Sequence, residues 1–331
     1  MKTKWLGNGW LALCALVLAG LFSAPAVYAG PYTFTTIAYP GSIGGTVAYG
    51  LNNSQQVVGI YLDSSDLIQG FLYQGGTYTI EQVPGAQETI LQGINDSGNM
   101  VGGYGSFGGS PLAFLDSGGT FSTITPPSST TAIVYGINNS GEMVGLYEDA
   151  SGDEFSFLDN GGTFTNISFP GSAGTIAFGI NSAGEIVGVY TDSGGNAFGF
   201  LDDNGTFTSI SFPGSTGTIA YGINSAEQVV GVYGDSSGNE DGFIYNPNTA
   251  TFTTIDFPGA QDTVIQGIND SGDLVGYYGP FGGNPSGFLA VPGSATPEPG
   301  SMLLLGTGLI ALGGALRRRA WGTHQPEERY V

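Results

Sequence analysis

Short apolar and β-branched runs, broken at regular intervals by Gly, Asn, Asp, Ser and Pro, fill most of the chain. The stretch 175–214 reads TIAFGINSAGEIVGVYTDSGGNAFGFLDDNGTFTSISFPG and holds four of them, at 175–180, 186–190, 197–201 and 206–212. Runs rich in Val, Ile, Thr, Phe and Tyr and bounded by turn residues predict β-strands. The separators are Asn-Ser-Ala-Gly, Asp-Ser-Gly-Gly-Asn, Asp-Asp-Asn-Gly and Pro-Gly-Ser, all of them turn chemistry. Gly and Asn supply the positive φ of tight hairpins. Within the strands neither face is cleanly polar: 186–190 is Ile-Val-Gly-Val-Tyr and 198–201 is Phe-Gly-Phe-Leu. Such a sheet is covered on both sides.

The pattern recurs. Gly-Leu/Ile-Asn stands at Gly50, Gly93, Gly136, Gly179, Gly222 and Gly267, so the period is close to 43 residues. Four strands in that length match one blade of a β-propeller. The units lie near 43–86, 87–128, 129–171, 172–214, 215–259 and 260–292. The last unit lacks a fourth strand, and residues 32–39 form a strand with no unit of its own. A ring lets that N-terminal strand complete the sixth blade, whereas an open β-array would leave an unpaired strand at each end. The expectation is therefore an all-β, six-bladed propeller of four-stranded blades over residues 30–293, closed by its N-terminal strand.

Composition sharpens this picture mainly through what is missing. The chain has 331 residues, 59 of them Gly, with 27 acids against 6 Lys or Arg. Glu298, Glu327 and Glu328 lie beyond residue 296, so residues 30–296 hold 24 acids; they contain no Lys, Arg, His, Cys or Trp. The bases sit at the ends. Lys2 and Lys4 precede an apolar run at 10–22 and the small-residue site Val27-Tyr28-Ala29. This is the pattern of a cleavable secretory signal peptide over residues 1–29. Its removal takes the only Cys, Cys14, with it.

At the other end Pro297-Glu298-Pro299 precedes an apolar helix at 301–316 and the cluster Arg317-Arg318-Arg319, within a terminal segment 294–331. A short apolar stretch with a basic stop suits a transient inner-membrane anchor. The order Pro-Glu-Pro, apolar helix, Arg cluster resembles the PEP-CTERM sorting signal of Gram-negative bacteria. That resemblance implies an exported substrate of an exosortase-type processing enzyme, held in the inner membrane and then passed to the cell surface or extracellular matrix. The tail 320–331 departs from the family, whose signals usually stop soon after the arginines. The repeats, with Gly136–Tyr147 reading GINNSGEMVGLY, resemble HAF-type extracellular repeats of bacterial surface proteins. The name-giving His-Ala-Phe is here Ala113-Phe114 or Gly199-Phe200, without the His. This second resemblance implies a surface location and no reaction.

The same absences exclude chemistry. Nucleophilic triads need a His or comparable base, and thiol or Schiff-base catalysis needs Cys or Lys. Nucleic acid would meet acids with no compensating base. Paired carboxylates of a glycosidase remain as a minor alternative. Calcium is the one metal the residues admit. Asp149, Asp153, Asp192 and Asp235 stand in the turns between second and third strands, among oxygens at alternate positions. The plain counter-reading is a solvated hairpin turn. Units two and six also share Gln87 with Gln261 and Phe107 with Phe281 in loops of one rim. Aromatic faces beside amides would suit a sugar, and shared duplication history is the alternative. The sequence thus points to a non-enzymatic exported surface or matrix propeller, engaging exopolysaccharide or other surface proteins. A calcium-dependent, lectin-like binder is the second class.

Overall fold

The computed structural model describes residues 32–280 and 283–293. The signal-peptide segment 1–29, Phe281, residues 297–299, the apolar helix expected at 301–316 and the Arg cluster at 317–319 lie outside them. Among the described residues every regular element is a β-strand, and none is a helix long and apolar enough to cross a membrane.

The chain opens with β1 (Tyr32–Ile37), which joins the last blade. Blade one is β2 (Thr46–Leu51), β3 (Val57–Leu62), β4 (Ile68–Gln74) and β5 (Thr77–Glu81). Blade two is β6 (Glu88–Ile94), β7 (Met100–Gly105), β8 (Leu112–Ser117) and β9 (Thr120–Ile124). Blade three follows with β10 (Ser129–Ile137), β11 (Met143–Asp149), β12 (Glu154–Asn160) and β13 (Thr163–Ile167). Blade four is β14 (Gly174–Ile180), β15 (Ile186–Thr191), β16 (Ala197–Asp203) and β17 (Thr206–Ile210). Blade five is β18 (Thr218–Ile223), β19 (Val229–Gly234), β20 (Glu240–Asn246) and β21 (Thr251–Ile255). Blade six combines β22 (Asp262–Ile268), β23 (Leu274–Gly279) and β24 (Ser286–Pro292) with β1.

Each blade is a four-stranded antiparallel meander, and its first strand packs on the second strand of the blade before it. β2 packs in the same way on β23, so the ring is closed. β1 pairs with β24 in register from Tyr32↔Pro292 to Ile37↔Gly287. The expected closing strand, 32–39, stops two residues early. Tyr39 leaves the ladder because its amide donates to Thr46 Oγ1 at 2.9 Å and its ring stacks on Tyr61 at 3.6 Å. Phe212 ends the strand expected at 206–212 for the same reason, donating to Thr218 Oγ1 at 3.0 Å and stacking on Tyr233 at 3.6 Å.

Three repeated positions hold the ring. One Phe on each third strand is fully buried: Phe71, Phe114, Phe157, Phe200, Phe243 and Phe288. Phe200 lies in one apolar cluster with Val144 and Ile167 of the preceding blade, so it joins the two sheets. Burying each such ring is worth about 1.5–3 kcal/mol. Next, a register shift at Ala177/Gly179 bulges Phe178 into the central channel, and equivalent shifts recur in the other five blades. The glycine after each bulge abuts the next blade. A Cβ on Gly50, Gly93, Gly136, Gly179, Gly222 or Gly267 would lie 2.6–3.1 Å from that blade's backbone.

The third position is the Asn of Gly-Leu/Ile-Asn. The Nδ2 of Asn52, Asn95, Asn138, Asn181, Asn224 and Asn269 each donates to the backbone carbonyl of the corresponding Asn one blade on, at 3.0–3.2 Å. The last donates to Asn52, completing a circle. The channel inside is narrow, with about 100 Å³ of internal space.

Replacing Gly179 by Ala places a Cβ 2.6 Å from the Tyr221 carbonyl oxygen. Overpacking of this kind costs about 1–3 kcal/mol. Gly179→Ala is therefore expected to lower the denaturation midpoint, while Gly217→Ala, whose Cβ has nothing nearer than 3.7 Å, leaves it unchanged. Equal midpoints for the two variants in urea titrations would refute the close-contact account.

Candidate functional site

Antiparallel connectivity gives the ring two rims. One carries the short turns within each Asn repeat. The other carries the loops from second to third strand and from each blade to the next, and the described residues among those singled out for calcium or sugar binding belong to this loop rim. Among the acids, Asp149 Oδ1 accepts the amides of Ser151 at 2.8 Å and Asp153 at 3.1 Å. Asp235 Oδ1 caps its turn through Ser237 at 2.7 Å and Asn239 at 2.8 Å. Asp192 binds the amides of Gly194 and Asn196 and the Asn196 side chain, and these bonds, the Asn196 side chain foremost, hold its carboxyl below the usual range. Each of these three carboxylates serves its own turn. Among the described residues no group of three or more acids is placed to hold a metal ion.

Gln87 and Phe107 do meet: the Phe107 amide donates to Gln87 Oε1 at 3.0 Å, and the Phe107 ring is 50% exposed. Gln261 lies elsewhere, with its Nε2 donating to Asn239 Oδ1 at 3.4 Å. Gln87 belongs to the junction of blades one and two and Gln261 to that of blades five and six, so blades six and one separate them.

The junction that holds Gln261 contains a cavity of about 410 Å³, within the roughly 300–1,000 Å³ of small-ligand sites. Its wall includes Asn239, Asp241, Asp256, Phe257, Gln261 and Thr263. The two carboxylates were not singled out from the sequence. Register places them together: Gly242 pairs with Ile255, so Asp241 and Asp256 stand opposite each other where β20 and β21 run out onto the rim. Aligning the six repeats shows what they replace. The Asp241 position is Gln69, Leu112, Phe155, Phe198 and Ser286 in the other blades, and the Asp256 position is Ser211 in blade four and Ser168 in blade three. Phe155 and Phe198 lie over Tyr147 and Tyr190 with ring centroids 5.2 and 5.4 Å apart. In blade five a carboxylate takes that place beside Tyr233. Asp256 Oδ1 is buried and has no hydrogen-bond partner.

These features define a closed six-bladed propeller with one loop-rim cleft that breaks the repeat. Residues 295–319 match the PEP-CTERM protein-sorting motif. That motif marks the protein for export through the membrane to the surface of a Gram-negative bacterium and implies processing by an exosortase. No curated protein matches the chain. Similar solved structures include TolB from Acinetobacter baumannii, at 15% identity and TM-score 0.48, covering 76% of this chain and 65% of that one. This chain thus spans slightly under two thirds of TolB. Others are the SapL1 lectin in complex with α-methyl fucoside (13% identity, TM-score 0.49, 78% of this chain and 98% of that one) and the Aleuria aurantia lectin with Fucα1-6GlcNAc (14%, 0.43, 80% and 100%).

The cleft is electrostatically loaded. Burial, then repulsion from Asp256 and Asp235, raises the Asp241 carboxyl to about 6, with the Tyr233 hydroxyl opposing the rise. Burial also raises Asp256, and burial followed by the Asp262 charge raises Glu240. The Tyr233 hydroxyl itself is pushed up to about 12, chiefly by burial. An acid whose folded value exceeds its unfolded one binds its proton more tightly when folded. The native state is then favoured as pH falls toward the unfolded value and loses that advantage as pH rises through the folded one. Thermal melts are expected to show a higher Tm at pH 5 than at pH 7.5. Asp241→Asn should raise Tm at pH 7.5 and flatten the slope between the two. A variant that instead loses Tm at pH 7.5 would mean that the charged carboxylate stabilises the fold.

Proposed function

We propose that the protein is a non-enzymatic, exported surface or matrix component that binds an exopolysaccharide at the cleft between blades five and six. The observation that carries this reading is the departure of blade five from its own repeat. Where blades three and four set a Phe against the second-strand Tyr, blade five sets Asp241, and Asp241 and Asp256 join two amides, a hydroxyl and the side of Phe257 in the wall of a cavity. Carboxylates and amides hydrogen-bond sugar hydroxyls, and an aromatic wall takes the apolar face of a pyranose. The resemblance of the repeats to HAF-type extracellular repeats agrees with a surface role. Gln87 and the exposed Phe107 offer a second, shallower contact on the same rim. The turn acids Asp149, Asp153, Asp192 and Asp235 keep a calcium-dependent variant of the reading open to the same assay.

The test is a glycan array probed with the full chain, purified in mild detergent, with and without Ca²⁺. Retention of a defined set of glycans, lost in the double variant D241N/D256N, is the expected result. Loss on calcium removal alone would shift the site to the turn acids. Release of a shortened sugar would make the protein a carboxylate-pair glycosidase. No retention under any condition would leave only a scaffold role.

A further inference from the structure

The charge inventory of the folded ring restricts which glycan it can hold. All 24 acids of residues 30–296 fall within 32–293, and that span contains no Lys, Arg or His. No carboxylate there has a cationic side chain of the ring to pair with, so a polymer of uronic acids would be repelled everywhere on the surface. Repulsion is strongest where acids crowd, at the blade-five corner. There Asp235 is committed to its turn, and Asp262 Oδ1 accepts the Glu240 amide at 3.1 Å. Among the described residues neither Asp241 nor Asp256 accepts a turn amide: Asp241 meets the Tyr233 hydroxyl, and the buried Asp256 Oδ1 has no partner.

A hard metal cation is a poor candidate for the gap. Calcium takes six to eight oxygens, and among the described residues no group of three or more acids converges on a metal position. An ammonium needs fewer partners: it is compact, carries three N–H donors and has no acceptor. Attached to a sugar ring it would bring its own apolar face to Phe257 and its hydroxyls to Asn239 and Gln261, which line the same cavity. We propose that the cleft binds a glycan bearing free amino groups, a partly de-N-acetylated hexosamine polymer, with one ammonium seated between Asp241 and Asp256. This rests on the glycan-binding reading above and narrows it to one class of sugar.

The assay compares glucosamine oligomers, their fully N-acetylated counterparts and a polyuronate of similar length. Binding to the full chain is followed by calorimetry at neutral pH and physiological salt. The free-amine oligomer is expected to bind at least tenfold more tightly than the acetylated one, and the polyuronate not to bind. D241N/D256N should lose at least tenfold on the free-amine oligomer. The control D66N/D203N removes two exposed acids away from the cleft and so changes net charge equally; it should retain nearly all the affinity. Equal losses in the two double variants would show diffuse attraction of a polycation and overturn the site. Equal binding of a basic peptide would show a cation site without sugar recognition and overturn the ligand class. If acetylated or neutral glycans bind and D241N/D256N abolishes that binding, the amine requirement falls while the glycan-binding reading stands; if no glycan binds, both fall. Melting curves of each variant confirm that the ring is folded.

Discussion

One side chain per blade does two jobs that cannot be separated. Asn181 Oδ1 accepts the amides of Ala183 and Glu185, both at 3.0 Å, and so shapes its own turn, while its Nδ2 reaches the Asn224 carbonyl of the next blade at 3.1 Å. These amides are buried, with Asn181 only 4% exposed. A buried donor left unpaired costs about 1–3 kcal/mol. Each turn is therefore satisfied only when the next blade is in place, and the last only when it meets the first. The glycine two residues earlier serves the same end, since its missing Cβ lets the backbones approach closely enough for the Asn to reach. Closure is thus a requirement of local hydrogen bonding, and the pairing of β1 with β24 meets it from the outside of the ring.

A ring held at its axis tolerates variation at its rim. The Phe-Tyr stacks that link blades, here Phe212 on Tyr233 at 3.6 Å and Phe257 on Tyr278 at 3.5 Å, persist on either side of blade five. Between them Asp241 and Asp256 replace an aromatic and a hydroxyl. Like charges directly opposite in a sheet are unfavourable, and their partial burial, with Asp256 Oδ1 left without a partner, adds to the cost. The ring absorbs this at one corner because six buried Phe and six Asn links hold the rest. A corner that disfavours the empty fold and holds an unpartnered carboxylate oxygen is where a ligand has the most to contribute.

Much of this fold was legible along the chain because its signals are local and repeated. Turn residues at fixed offsets marked the hairpins, and the 43-residue period counted the blades. The surplus N-terminal strand with the deficient sixth unit implied closure. Strand ends were less legible. Tyr39 and Phe212 look like strand continuations, and only the neighbouring blade's Tyr and Thr draw them out of the ladder. The rim site was the hardest to read. Gln87 and Gln261 stood out because two units share them, yet they lie at separate junctions. Asp241 and Asp256 look like ordinary rim acids until the repeats are aligned and the aromatic at the same position is seen to be missing.

What the sequence by itself determined is the architecture and the electrostatic character: short strands, tight turns, six units, and an acidic body without a base. These follow from backbone preference and composition, which need no knowledge of what lies across a blade. What only the tertiary structure decided is which acids are spare. Asp149, Asp192, Asp235, Asp241 and Asp256 are chemically alike along the chain. Cross-strand register, burial and the amides of their own turns commit the first three and leave the last two facing a cavity. A carboxylate's availability depends on the groups that reach it in three dimensions.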